Sequence, residues 1–163
     1  MINEKLLKNE EKVVYELRSL YSSFGYSQYK MSKFEEYDLY VRNKDFLISD
    51  RIITFTDTNG KLLALKPDVT LSIINNYSKN SGAVQKMYYN ENVYRVSGVN
   101  GRFREIMQTG LECIGEIGSY EISEVLYLAI KSLGVIDESF SLEISHAQLL
   151  LSLLADAGIE KNI

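Results

Sequence analysis

Arginine, glutamine and glutamate recur at two-residue spacing in one stretch of this chain, and that spacing has chemical meaning. If Phe103 to Ile114 is extended, Arg104, Ile106, Gln108, Gly110, Glu112 and Ile114 share one face. Phe103, Glu105, Met107, Thr109, Leu111 and Cys113 share the other. Neither face is purely apolar. The first forms a polar ledge, with a glycine that clears room between its functional groups, and Arg95 can reach it from the facing position on the preceding strand. Such a ledge suits a small zwitterionic ligand: Glu112 or Asp68 holds an ammonium group, Gln108 orients it, and Arg95 pairs bidentately with a carboxylate or phosphate. By spacing alone, a solvated sheet face with ordinary cross-strand ion pairs accounts for the same pattern. Covalent catalysis does not fit the ledge. It has no nucleophile beside a base, because Cys113 points to the opposite face and His146 lies beyond it in sequence. One histidine and one cysteine are also too few for a His/Cys zinc site, which takes three or four ligands.

The elements that must position these residues are legible from periodicity. Val13, Val14, Leu17, Leu20, Tyr21 and Phe24 form one helical stripe within Glu4 to Phe24, with Gly25 as its stop. Tyr26 to Met31 reads as a short strand, and Phe34 to Tyr40 has no clear period. Ile52-Ile53-Thr54-Phe55-Thr56 and Leu62-Leu63-Ala64-Leu65 make a hairpin across Asp57-Thr58-Asn59-Gly60, since Asn-Gly tolerates positive φ. Pro67 stops that strand. Asp68 or Thr70 then caps a helix carrying Val69, Ile73, Ile74 and Tyr77 on one face, closed by Lys79-Asn80-Ser81-Gly82. A longer hairpin joins Gln85–Val96 to Phe103–Ile114 through Ser97-Gly98-Val99-Asn100-Gly101. A helix from Tyr120 to Leu133 follows, with Ile122, Val125, Leu126, Ala129, Ile130 and Leu133 inward and Gly134 as its stop. Phe140 to Ser145 reads as a strand and His146 to Ala155 as a helix with a dense leucine face. Tight hairpins between helices imply an α+β fold: an antiparallel β-sheet flanked by helices, in one domain over residues 1–163.

Composition bounds the function classes. The 163 residues are 45% apolar and 25% charged, as in an ordinary globular domain. No apolar run approaches the roughly 20 residues needed to cross a bilayer, and Met1-Ile2-Asn3-Glu4-Lys5 does not read as a signal peptide. The single cysteine points to a reducing, cytoplasmic setting. A net charge of −4 argues against broad nucleic-acid binding. Twelve tyrosines without tryptophan fit core and interface packing, because several fall in the apolar stripes.

These residues carry a family resemblance. Tyr94-Arg95-Val96-Ser97, Gly101-Arg102-Phe103-Arg104-Glu105, Gln108-Thr109-Gly110-Leu111-Glu112 and Gly115 resemble motif 2 of histidyl-tRNA synthetase, a class II aminoacyl-tRNA synthetase. Leu63-Ala64-Leu65-Lys66-Pro67-Asp68-Val69-Thr70 resembles the Leu-Arg-Pro-Glu-x-Thr segment with which that family binds its amino acid. The resemblance implies an incomplete class II synthetase-like core, with motifs 1 and 2 present and motif 3 absent. It implies ligand-binding residues Asp68, Thr70, Arg95, Gln108 and Glu112, and anion-binding residues Arg102 and Arg104. It also implies a homodimer through the first helix and following strand, with Tyr26, Tyr29 and Met31 as contacts.

The sequence departs from that pattern on the ATP side. Ser97 replaces the motif 2 glutamate, the loop Gly98-Val99-Asn100 is shorter, Lys66 replaces an arginine and Ser32-Lys33-Phe34 replaces a proline segment. No Arg-Gly-Leu-Asp-Tyr-Tyr segment, motif 3 or anticodon-binding domain occurs before Ile163. Adenylate formation needs charge stabilisation that these parts supply. The resemblance therefore turns toward the regulatory subunit of ATP phosphoribosyltransferase, a family similar to the synthetase core. Leu65-Lys66-Pro67-Asp68-Val69-Thr70 is nearer its Leu-Arg-Pro-Asp-x-Thr form, and Glu143-Ile144-Ser145-His146 resembles its Asp-Leu-Gly-His segment. By residue type alone, His146 is a helix N-terminal residue making one hydrogen bond. The implied partners are a short-form ATP phosphoribosyltransferase and histidine, with tRNA unlikely as a ligand. No cofactor is implied, and ATP with magnesium enters only if the chain is the N-terminal part of a histidyl-tRNA synthetase. A dimerising scaffold with a vestigial ledge is the third reading.

Overall fold

The computed structural model describes residues 6–43, 52–76, 83–96 and 101–158. Ser97 with the shortened loop 98–100, Tyr77 and the helix-closing segment 79–82 lie outside the described residues.

The first helix, α1 (Asn9–Ser23), starts later than the Glu4 expected from the sequence. The Lys8 amide donates to the Glu11 carboxylate at 2.8 Å, which sets the first turn there. Gly25, at φ 80°, ends it as expected. The chain then doubles back, with the Tyr26 amide donating to the Tyr21 carbonyl at 3.1 Å, into β1 (Ser27–Gln28). That reversal corrects the expected dimer contacts: Tyr26 is buried in the core, and Tyr29 and Met31 are half-buried against Val69, Ile73 and Val93.

Residues of unclear period form β2 (Phe34–Glu36) and α2 (Tyr37–Arg42). The first hairpin is β3 (Thr54–Thr56) and β4 (Leu62–Leu65), antiparallel in the order β2-β4-β3. Its turn differs from a two-residue Asn-Gly turn. Only Gly60 takes positive φ, at 81°, and Asp57 Oδ1 accepts the amides of Asn59 and Lys61 at 2.8 Å each. An aspartate able to serve two amides stabilises the longer loop.

Helix α3 (Val69–Asn76) follows Pro67. Asp68 is its cap, Oδ1 accepting the Leu71 amide at 3.0 Å. Val69 and Ile73 face inward as expected, but Ile74 is exposed, and Leu71 and Ser72 are buried instead. The helix sits between two cores. Val69 and Ile73 join Val93 of the long hairpin, and Leu71 joins Tyr40 and Ala64.

The long hairpin has the predicted bounds, β5 (Gln85–Val96) and β6 (Phe103–Ile114), paired from Gln85↔Ile114 to Val96↔Phe103. Its sheet is not wholly antiparallel. Strand β1 pairs in parallel with Met87 and Tyr88, which is possible because the whole second sheet intervenes in sequence.

Helix α4 (Ser119–Ile136) passes through Gly134 instead of stopping there. It is also rotated from the expected stripe: Leu128 and Glu124 are buried, and Ile122 and Ile130 are exposed. Two contacts set that rotation. Glu124 pairs with Lys86 of β5 at 2.6 Å, and Leu128 packs with Leu17, Tyr21, Tyr26 and Tyr88. Phe140 to Ser145 is not a strand, since it finds no ladder partner among the described residues. Helix α5 (Ala147–Asp156) follows, capped by His146, and its Leu149, Leu150 and Leu153 are exposed. No helix among the described residues is long and apolar enough to cross a membrane.

Candidate functional site

Strand pairing decides what shares the ledge. Along one face of the long hairpin the register sets Met87 opposite Glu112, Tyr89 opposite Gly110, Glu91 opposite Gln108, Val93 opposite Ile106 and Arg95 opposite Arg104. Arg95 therefore lies on the ledge face, as its position in sequence predicts. Eight residues of extended strand separate Arg104 from Glu112, about 27 Å at 3.4 Å per residue. Those two do not address one small ligand. Arg102 and Arg104 are exposed at the far end of the hairpin.

The turn between β4 and α3 lies across this ledge and brings the two sequence blocks together. The Tyr94 amide donates to the Lys66 carbonyl at 2.9 Å, and Arg95 Nε donates to the Pro67 carbonyl at 3.2 Å. Two residues further on, Asp68 has turned to cap α3, and the Thr70 hydroxyl donates to Glu112 Oε1 at 2.5 Å. Asp68, Thr70 and Glu112 thus form one acid end, and Arg95 reaches the turn from the opposite side.

Electrostatics give the acid end its character. Burial pushes the Glu112 carboxyl above the usual glutamate range, the Thr70 hydrogen bond pulls against this, and the charge of Asp68 adds to the rise. The Tyr89 phenol is pushed up to about 12 by burial and by the charges of Glu112 and Asp68. Two carboxylates and a phenol clustered at partial burial favour a cationic group. At the other end, Arg95 and Arg104 stand directly opposite each other, a like-charge pair that an anion relieves. The ledge is polar in both senses, with one cation-seeking and one anion-seeking end.

Gly110 has a different role from the one its sequence context predicts. A Cβ there would meet Tyr89 Oη at 2.5 Å and Cζ at 2.7 Å. The clearing it makes is filled by the Tyr89 ring, not left open beside Gln108. His146 is likewise accounted for locally, its Nδ1 accepting the Leu149 amide at 3.1 Å. Cys113 faces away from the ledge, opposite Lys86, and burial pushes its thiol up. Among the described residues, no group of three or more His, Cys, Asp or Glu could hold a metal ion.

Three residues of the site were not singled out as ligand-binding from the sequence. Tyr89 and Glu91 share the ledge face, six and four residues before Arg95 on β5, so the period-two alternation that places Arg95 was the signal for them. Lys66 is fully buried and donates from Nζ to Glu91 Oε2 at 2.9 Å. Its signal was its place beside Pro67 in the segment that resembles an amino-acid-binding motif.

Known proteins resemble this chain in sequence and fold. Among curated relatives, the ATP phosphoribosyltransferase regulatory subunit of Clostridium kluyveri is 32% identical over 151 residues, covering 88% of this chain and 38% of the relative. The histidine–tRNA ligase of Archaeoglobus fulgidus is 32% identical over 149 residues, covering 89% of this chain and 36% of the relative. The chain thus spans under two fifths of the length of these relatives. A crystal structure from Bacillus halodurans, described as an ATP phosphoribosyltransferase regulatory subunit/histidyl-tRNA synthetase, superposes with a TM-score of 0.74 at 24% identity. It covers 91% of this chain and 39% of that one, so the class II synthetase-type fold is shared over part of its length. The family model described as Histidyl-tRNA synthetase matches residues 2–163, and the chain belongs to that family.

Proposed function

We propose that this chain carries the ligand-binding part of a non-catalytic regulatory subunit of ATP phosphoribosyltransferase in histidine biosynthesis. It binds histidine, or a related small ligand, on a synthetase-derived site. The observation that carries the reading is the acid end of the ledge, where burial first, and then the charge of Asp68, raise the proton affinity of a Glu112 held by Thr70. A cationic group of the ligand relieves that repulsion; Arg95, eight strand residues from the partner of Glu112, serves a separate anionic group. The Clostridium kluyveri relative supports the regulatory role by name.

The partner in this reading is a short-form ATP phosphoribosyltransferase catalytic subunit, in the cytoplasm. A homodimer belongs to the same reading, with exposed Tyr15 of α1 as a contact now that Tyr26 is in the core. Reconstitution tests the proposal. Adding the protein to the isolated catalytic subunit should raise phosphoribosyl transfer, and histidine should reverse the gain. Titration calorimetry should register histidine binding by the millimolar range. No change in transfer and no heat with histidine would sink the reading.

A second reading has its own support, since the Archaeoglobus fulgidus histidine–tRNA ligase is as similar as the regulatory subunit. In that case the chain is the N-terminal part of a ligase that uses ATP and magnesium. Histidine-dependent exchange of pyrophosphate into ATP by the whole protein would select it.

A further inference from the structure

A fully buried lysine needs a reason. Lys66 has no exposed surface, and its ammonium is held by Glu91 Oε2 at 2.9 Å, with the Glu91 side chain 17% exposed. Withdrawing an ammonium from water is costly unless a partner meets it, and an apolar side chain would fill the same volume without that cost. What the ion pair adds is direction, since it joins one point of the turn to one point of the strand.

That point is central. Glu91 lies four residues from Arg95 and four from Met87, the partner of Glu112, which is about 14 Å each way along β5. The β2-β4-β3 sheet and the β1-β5-β6 sheet share no strand, so the turn after β4 crosses between separate ladders. Lys66 ties three segments together at that crossing. Its amide donates to the Lys33 carbonyl at 3.1 Å, its carbonyl accepts the Tyr94 amide at 2.9 Å, and its Nζ reaches Glu91. The residues that follow it are Pro67, which holds Arg95, Asp68, which caps α3, and Thr70, which holds Glu112.

We infer, resting on the amino-acid site proposed above, that Lys66 is a positioning residue: its buried pair with Glu91 sets Asp68 and Thr70 against Glu112. Lys66 touches no ligand in this arrangement. It acts through the turn.

The experiment removes both charges at once. Lys66→Met alone leaves Glu91 without its partner and puts folding at risk, whereas Lys66→Met with Glu91→Leu leaves an apolar pair of similar bulk. Three readouts are taken on the whole chain: thermal melting, the Glu112 carboxyl titration by carbon-detected NMR, and calorimetry with L-histidine. In the double variant the melt should hold while the Glu112 midpoint falls toward the ordinary glutamate range, as burial and Asp68 are withdrawn. Histidine affinity should fall by about tenfold or more, the scale of one lost charge-assisted contact. Lys66→Arg should keep both values, and Glu91→Gln, which retains volume and one acceptor, gives a milder variant with the same readouts. A folded double variant with an unmoved Glu112 midpoint overturns the inference. Absence of histidine heat from the unmodified protein instead overturns the ligand reading, and the Glu112 midpoint still decides the role of Lys66.

Discussion

Glu112 is held where both burial and the charge of Asp68 resist its ionisation. Its folded pKa is raised, so the fold prefers the protonated form. The stabilisation that follows is present below the unfolded pKa and is lost as pH rises through the folded one. At neutral pH the ionised Glu112 works against folding. Glu112→Gln should therefore raise stability at about pH 7 and make little difference at about pH 3, as urea unfolding at the two values would register. An equal effect at both would remove the electrostatic account. Gly110 permits a second test, because a methyl group there overlaps the Tyr89 phenol. Gly110→Ala should cost about 1–3 kcal/mol by overpacking, and much less in a Tyr89→Ala background. Additive costs in that cycle would mean that the ring does not fill the clearing. At this scale the sequence placed the ledge residues on one strand face correctly. It could not show that the space beside Gly110 belongs to Tyr89, since that follows from the pairing partner and not from the strand's own period.

Elements whose ends are set by local chemistry were the most legible. Helix α1 stops at Gly25, and the long hairpin keeps its predicted bounds, because backbone freedom and period-two alternation act within a few residues. Asp68→Ala should lower stability by about 1 kcal/mol through loss of the α3 cap, and should free Thr70 from Glu112 in the same variant. Chemical denaturation measures the first effect and the Glu112 titration the second. His146→Ala should behave differently. It removes the cap of α5, a helix with no buried residue, so amide exchange should quicken over Ala147–Asp156 while the global melting temperature stays put. The elements that were misread depend on distant partners. Phe140 to Ser145 has strand-like composition but no ladder to join among the described residues, and α4 carries two apolar stripes, of which Glu124 and Leu128 select one by meeting Lys86 and Tyr88.

For the molecule as a whole, stability rests on a few points where helices meet the long hairpin. Leu128 is fully buried among Leu17, Tyr21, Tyr26 and Tyr88, so Leu128→Ala should cost about 2–5 kcal/mol. Leu153→Ser on α5 should change stability by no more than about 0.5 kcal/mol, because that leucine is 58% exposed. Paired denaturation curves of the two variants test whether the core lies where these contacts put it.

The sequence by itself determined the α+β class, the bounds of the long hairpin, the polar ledge on one face and the family to which the chain belongs. These rest on alternation and turn residues, written within a dozen or so positions, and on motif blocks spaced from Leu63 to Gly115. Only the tertiary structure decided which pieces meet. It buried Tyr26, rotated α4, placed Tyr89 against Gly110, and laid the turn from Lys66 to Thr70 across Arg95, Glu91 and Glu112. The physical reason is that burial, register and ion pairing are properties of two segments together. A ledge can be read from one strand, but a site needs the turn that crosses it.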